Sequence, residues 1–204
     1  MAGTDADVDV AVAALRAGDV VVLPTDTVYG LAASAESITG VRRLYALKGR
    51  AEGQPTALVA ASVEALLLRI PELADLEAVL RTLLPGPYTL VLPNPLGRYP
   101  SLCAPGAGSI GVRVPAVAGP PADLLERAGA VAATSANLPG GRDPRLLADV
   151  PAELLAGAGA VLDGGELPGT ASTVLDLTGP EPRVLREGAI PAVEALERAR
   201  GAAR

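Results

Sequence analysis

Histidine is missing from all 204 residues, and lysine and cysteine occur once each, at Lys48 and Cys103. Without histidine there is no Ser-His-Asp or Cys-His nucleophile system, no His-dependent zinc site and no imidazole proton shuttle. A lone cysteine excludes an internal disulfide and a cysteine metal cluster, so Cys103 reads as a small packing residue in a Pro-rich loop. Tryptophan and phenylalanine are also absent, which leaves Tyr29, Tyr45, Tyr88 and Tyr99 as the whole aromatic content. Stacking platforms for single-stranded nucleic acid are therefore nearly excluded, and a net charge of −6 supplies no global attraction to RNA. The longest apolar runs, such as Val20–Leu23, fall far short of the ~20 residues that cross a bilayer. The Asp-rich start lacks the basic and apolar regions of a signal peptide, so a soluble, cytoplasmic protein with no membrane association is expected.

What is present is an Ala/Val/Leu-rich chain, half hydrophobic, punctuated by 23 glycines and 19 prolines. Helical spacing predicts helices over Val8–Ala17, stopped by Gly18, and over Ser37–Leu47, with Ser37 as N-cap. Further helices are predicted over Ser62–Ile70, Glu72–Leu84, Pro121–Ala128 and Pro191–Arg200. Strands are predicted over Asp19–Pro24, Thr56–Ala60, Tyr88–Leu92, Ser109–Val114 and Ala130–Ala133, with shorter ones at Val161–Leu162, Ser172–Leu177 and Arg183–Leu185. The last two, joined through Thr178-Gly179-Pro180, read as an antiparallel pair. The expected fold is α/β: a twisted, open, mixed sheet flanked by helices. A single domain is expected over residues 1–204, with its core at about 8–190. A Pro/Gly-rich loop over Pro93–Gly108 has the length of a functional segment.

Four clusters carry possible chemistry. Pro24-Thr25-Asp26-Thr27-Val28-Tyr29-Gly30-Leu31 follows a buried strand and gathers hydroxyls and a carboxylate at its carboxyl end, where open α/β sheets bind ligands. It also reads as a turn whose hydroxyls satisfy their own backbone. Lys48-Gly49-Arg50 sets two cations two residues apart. In an extended segment they share a face, and a compact ammonium acts as a point charge where arginine cannot. The plain alternative is a solvated pair at a helix end. In Ser109-Ile110-Gly111-Val112-Arg113-Val114, alternation puts Ser109, Gly111 and Arg113 opposite the apolar residues. Arg113 can then clamp a carboxylate or simply be exposed. Thr134-Ser135-Ala136-Asn137 ends another buried strand, with Ser135 and Asn137 placed for one ligand or for an ordinary turn.

Together these segments closely resemble the YrdC/TsaC family, the L-threonylcarbamoyladenylate synthases, in its short single-domain form without an added C-terminal domain. The resemblance runs from about Val20 to Ile190, with the motifs PTDTVYGL, KGR, GVRVP, TSAN, STVLDL and LREGAI in the family's order. It implies a YrdC-like fold with a concave, positive cleft. It also implies formation of threonylcarbamoyl-AMP and pyrophosphate from L-threonine, bicarbonate and ATP with Mg²⁺. Downstream proteins would then pass the threonylcarbamoyl group to tRNA. By the resemblance, Lys48 and Arg50 are catalytic and hold ATP phosphates, while Ser109, Ser135, Asn137 and Arg186 contact the nucleotide. Thr25, Arg113 and Ser172 contact threonine. The alternative is a non-catalytic RNA-binding module of the same fold, with weak tRNA contact. The chain departs from the family at Ala51 and Thr56, where Pro and Leu are usual, and at Val59, where many members carry histidine.

Overall fold

The structure, a computed structural model, describes residues 4–51 and 53–202, so the outer bounds of the expected 1–204 domain lie outside the described residues. Helix α1 (Asp5–Ala17) opens with a capping box in which Thr4 N–H donates to Asp7 Oδ2 at 2.7 Å and Thr4 Oγ1 accepts from Asp7 N–H. It stops at Gly18, whose φ of 80° is the left-handed cap that glycine adopts at least cost. Strand β1 (Val21–Pro24) is wholly buried, and β2 (Tyr29–Ser34) turns back against it. Helix α2 (Ile38–Lys48) starts at Ser37, whose hydroxyl accepts from Gly40 N–H at 3.0 Å.

Strand β3 (Ala57–Val59), helix α3 (Val63–Arg69) and helix α4 (Glu77–Leu83) follow, then β4 (Tyr88–Pro93) and β5 (Ser109–Arg113). Helix α5 (Pro120–Ala128), β6 (Val131–Ser135), α6 (Ala152–Ala156), β7 (Ala160–Val161), β8 (Thr173–Asp176), β9 (Arg183–Arg186) and α7 (Ala192–Ala202) complete the described order. The strands form one mixed sheet in the order β7-β1-β2-β6-β3-β5-β4-β8-β9. Pairs β1/β7, β3/β5 and β4/β8 are parallel, and the rest are antiparallel. This is the expected α/β architecture, including the antiparallel β8/β9 pair.

On β1, period-two alternation sends side chains to two different cores. On β1 and the residue before it, Val20 and Val22 join the larger cluster beneath α2, α3, α4 and α7. Val21 and Leu23 join a smaller one beneath α1 and α5, with Ala32, Val59 and Val131. Leu23, Val59 and Val131 of this second cluster also line a cavity on the same face of the sheet.

Three local expectations need correction. Tyr29–Leu31, expected at the end of the ligand-gathering cluster, begin a strand over Tyr29–Ser34 that is paired on both sides, with Tyr29–Ala33 fully buried. Its Gly and Ala content hid a strand that tertiary pairing supports. The Glu72–Leu84 helix is a 3₁₀ turn over Pro71–Leu76 followed by α4, because the chain leaves α geometry at Leu76 (φ −101°, ψ 6°). Helix α6, after Pro151, was not foreseen.

Candidate functional site

A stripe of small residues across neighbouring strands makes room for a cavity of about 410 Å³. Gly30 on β2 is in register with Ser135 on β6, and Ala133 on β6 with Ala57 on β3. A methyl on Gly111 of β5 would lie 3.8 Å from the Ala57 Cα, so the floor stays low across four strands. Thr25, Arg50, Ser109, Arg113, Ser135, Ser172 and Arg186 all line this cavity, whereas Lys48 and Asn137 do not. Its lining holds three arginines and no aspartate or glutamate. Asp26 offsets Arg113 from behind, and Arg50 and Arg186, which bond to neutral oxygens, leave the cavity locally positive within an acidic chain. An anionic ligand is favoured there.

The Thr25–Val28 segment is a self-bonded turn. Thr25 Oγ1 donates to Val28 O at 2.7 Å and accepts from the Thr27 and Val28 amides at 3.2 Å. Arg113 reaches into this turn from β5. Its Nη2 donates to Thr27 Oγ1 at 2.6 Å and pairs with Asp26 Oδ1, while Asp26 Oδ2 accepts from Ala116 N–H at 3.0 Å. The ion pair is close to buried, with side-chain exposures of 11% for Arg113 and 9% for Asp26. Arg113 Nε is buried without a hydrogen-bond partner. Asp26 as the partner of Arg113 was missed by sequence reasoning, since nothing local links residues 87 apart.

Lys48 and Arg50 converge by a route different from the expected extended segment. Lys48 is the last residue of α2, and Gly49 (φ 69°) reverses the chain as a left-handed cap. Both cations nevertheless reach the carboxyl end of β6. Lys48 Nζ donates to Ser135 O at 2.6 Å and to both Asn137 O and Asn137 Oδ1. Arg50 Nη1 donates to Thr134 Oγ1 at 3.2 Å, and its Nη2 and Nε hold Pro55 O and Gln54 Oε1. Burial pushes the Lys48 ammonium down to about 8, with nearby Arg50 lowering it further and Asp143 opposing. Asn137 Oδ1 also accepts from Ser135 Oγ at 2.7 Å, so Ser135, Asn137 and Lys48 form one network.

At the far side, Ser172 Oγ is 2.8 Å from Thr89 Oγ1. Arg186 Nη2 donates to Ser172 O at 2.7 Å and to Ser172 Oγ at 3.2 Å. Tyr29 does not line the cavity but braces its edge. Its hydroxyl lies 2.8 Å from both Asp163 Oδ1 and Gly165 O and accepts from Gly164 N–H at 2.9 Å. This ties the segment after β7 to the Thr25 turn. Burial, with the Asp163 carboxylate, pushes the Tyr29 hydroxyl up to about 12, so it stays protonated. The Asp163-Gly164-Gly165 turn was the available sequence signal. A second hollow of about 710 Å³ adjoins the first, sharing Ala104, Ala107 and Ser109 with it.

Among the described residues no group of three or more Asp, Glu, His or Cys side chains could hold a metal ion. No helix among them is long and apolar enough to cross a membrane.

Known proteins share this sequence and fold. The family model for Sua5/YciO/YrdC, described as telomere recombination, matches residues 13–188. A threonylcarbamoyl-AMP synthase from Pyrococcus abyssi is 37% identical over 193 residues, which cover 92% of this chain and 55% of that protein. The chain thus spans about half the length of that relative. The crystal structure of P. abyssi Sua5 complexed with L-threonine superposes with a TM-score of 0.82 at 35% identity, over 94% of this chain and 56% of that one. Escherichia coli YciO gives a TM-score of 0.80 at 26% identity, over 95% of this chain and 94% of that one. By its motifs, its sheet and these matches, the chain belongs to the Sua5/YciO/YrdC family.

Proposed function

We propose that the protein is a nucleotidyltransferase that makes L-threonylcarbamoyl-AMP and pyrophosphate from L-threonine, bicarbonate and Mg-ATP. The observation that carries the reading is the acid-free cavity lined by Arg50, Arg113 and Arg186, with hydroxyls of Thr25, Ser109, Ser135 and Ser172 between them. Three cationic side chains suit a ligand set made of a triphosphate, a carboxylate and a carbamate. The name of the P. abyssi synthase and the L-threonine bound to P. abyssi Sua5 support the same reading.

In this mechanism the threonine amine attacks bicarbonate or the CO₂ derived from it, giving a carbamate and releasing water. A carbamate oxygen then attacks the α-phosphorus of ATP, and pyrophosphate leaves. Arg113, Thr25 and Ser172 hold the amino acid. Arg50 neutralises the phosphates and the charge that develops on the leaving pyrophosphate, and Ser109, Ser135 and Arg186 orient the nucleotide. Lys48 and Asn137, which stand behind the cavity wall, come into reach of the phosphates only if the ligand displaces their mutual hydrogen bonds at the end of β6. Mg²⁺ enters with the triphosphate. Positioning and charge neutralisation provide the rate, so a chain without histidine can run the reaction. The product is an activated acyl group, which downstream transfer proteins would place on a tRNA adenosine.

The test is pyrophosphate release from Mg-ATP by the purified protein, with threonine and bicarbonate each present or omitted. Release that needs both is the expected result. Salt-sensitive tRNA binding with no release under any condition would replace this reading with a non-catalytic RNA-binding module.

A further inference from the structure

Tyr45 sits on α2, one turn before the Gly49 cap, 3% exposed and packed in the larger core. Its hydroxyl lies 3.1 Å from Gln54 O and 2.9 Å from Ser101 O, so one proton is shared between two main-chain acceptors. Its own carbonyl accepts from Arg50 N–H at 2.9 Å. One residue therefore grips the Arg50 segment at both ends and ties that segment to the 3₁₀ turn over Pro100–Leu102.

The two segments form adjoining walls of the cavity. Pro55 and Thr56 line it from one side, and Ala104, Ala107 and Ser109 line it from the other. Their remaining ties are slender: Thr56 N–H donates to Leu102 O at 3.0 Å, and Gly53 stands beside Pro105. Arg50 takes its own orientation from Gln54 and Pro55, the stretch that Tyr45 pins. We propose that Tyr45 is a positioning residue for nucleotide phosphate, fixing the segment that aims Arg50 to the loop that delivers Ser109. The proposal rests on the reading of the cavity as a nucleotide site. The hydroxyl is the working atom, because the ring alone would only fill the core.

Tyr45→Phe keeps the ring and removes both bonds. The variant is expected to melt within a few degrees of wild type, and its KM for Mg-ATP should rise roughly five- to tenfold. Its KM for threonine and its kcat at saturating ATP should stay within about twofold. An unchanged KM for ATP, or an equal rise in both KM values, would overturn the proposal. Mg-ATP binding by calorimetry separates the two ideas. Weakened binding in Tyr45→Phe, with no pyrophosphate release from wild type, would sink the synthase reading and leave this one standing. If the variant does not fold, hydrogen exchange on wild type supplies the test. Mg-ATP should protect amides of residues 53–56 and 101–104 together, and protection of one segment alone would contradict the coupling.

Discussion

Lys48 Nζ and Asn137 Oδ1 are hydrogen-bonded across 89 residues of chain, and the same amide oxygen accepts from Ser135 Oγ. The one lysine therefore joins the end of α2 to the end of β6. Lys48→Ala would leave Ser135 O and two Asn137 oxygens without that donor in a site where Lys48 is 6% exposed. The expected cost is about 1–3 kcal/mol of stability, together with a loss of pyrophosphate release of about a hundredfold or more. Lys48→Arg should not restore activity, because a planar fork cannot meet three oxygens arranged around one point. Thermal melts and pyrophosphate assays on both variants decide this.

Burial also makes Lys48 sensitive to pH. Its folded value of about 8 lies below the ordinary 10.5. Between these values the unfolded chain holds more protons than the folded one, so the folded state gains stability as pH rises through that window. Below pH 8 the cost of burying the charge is constant. Denaturation at pH 7 and pH 10 should thus show wild type gaining on Lys48→Met at the higher pH. For catalysis the sign reverses, since kcat/KM for ATP should fall above pH 8 as the ammonium is lost. That limb should be missing from Lys48→Met, and an identical limb in the variant would assign it to another group.

Asp26 is the charge partner of a nearly buried guanidinium. Asp26→Ala leaves Arg113 uncompensated while Thr27 Oγ1 still accepts from it. The expected loss is about 3 kcal/mol in urea denaturation. Most of it should return in the Asp26→Ala/Arg113→Met double variant, which no longer buries a lone charge. Additive losses in the double-mutant cycle would mean that the pair is not coupled.

Gly188 follows β9 and packs on the backbone of residues 171 and 172. A Cβ there would fall 2.6 Å from the Ser172 carbonyl carbon and oxygen, and nearer still to Ala171 O. These atoms are backbone and cannot rotate aside. Gly188→Ala should displace the turn, break the Gly188 N–H to Thr173 Oγ1 bond and move Ser172 away from Arg186. A loss of about 2 kcal/mol is expected, with weaker binding of the amino-acid substrate, measured by thermal melts and by KM for threonine.

Local chemistry made part of this protein legible. The Gly18 stop, the Ser37 cap and the Ser109–Arg113 alternation are decided within a few residues, and each stands where its sequence pointed. What could not be read depends on strand order. The Lys48–Asn137 contact exists because α2 ends beside the end of β6, and the Asp26–Arg113 contact because the turn between β1 and β2 reaches β5. Strand β2 was hidden in the ligand motif because glycine and alanine report weakly on strands, while its pairing on both sides settles the matter. Lys48 and Arg50 are expected to point at one ligand from an extended segment. Instead Lys48 ends α2, Gly49 is a left-handed cap, and both side chains reach the end of β6 while only Arg50 lines the cavity.

The most direct test of the account is the identity of the product. The protein would be incubated with Mg-ATP, L-threonine and ¹³C-bicarbonate, and the nucleotides examined by mass spectrometry. The account predicts an adenylate carrying threonine and one labelled carbon, formed in step with pyrophosphate and absent when bicarbonate is omitted. Pyrophosphate release with an unlabelled adenylate, or at the same rate without bicarbonate, would contradict it.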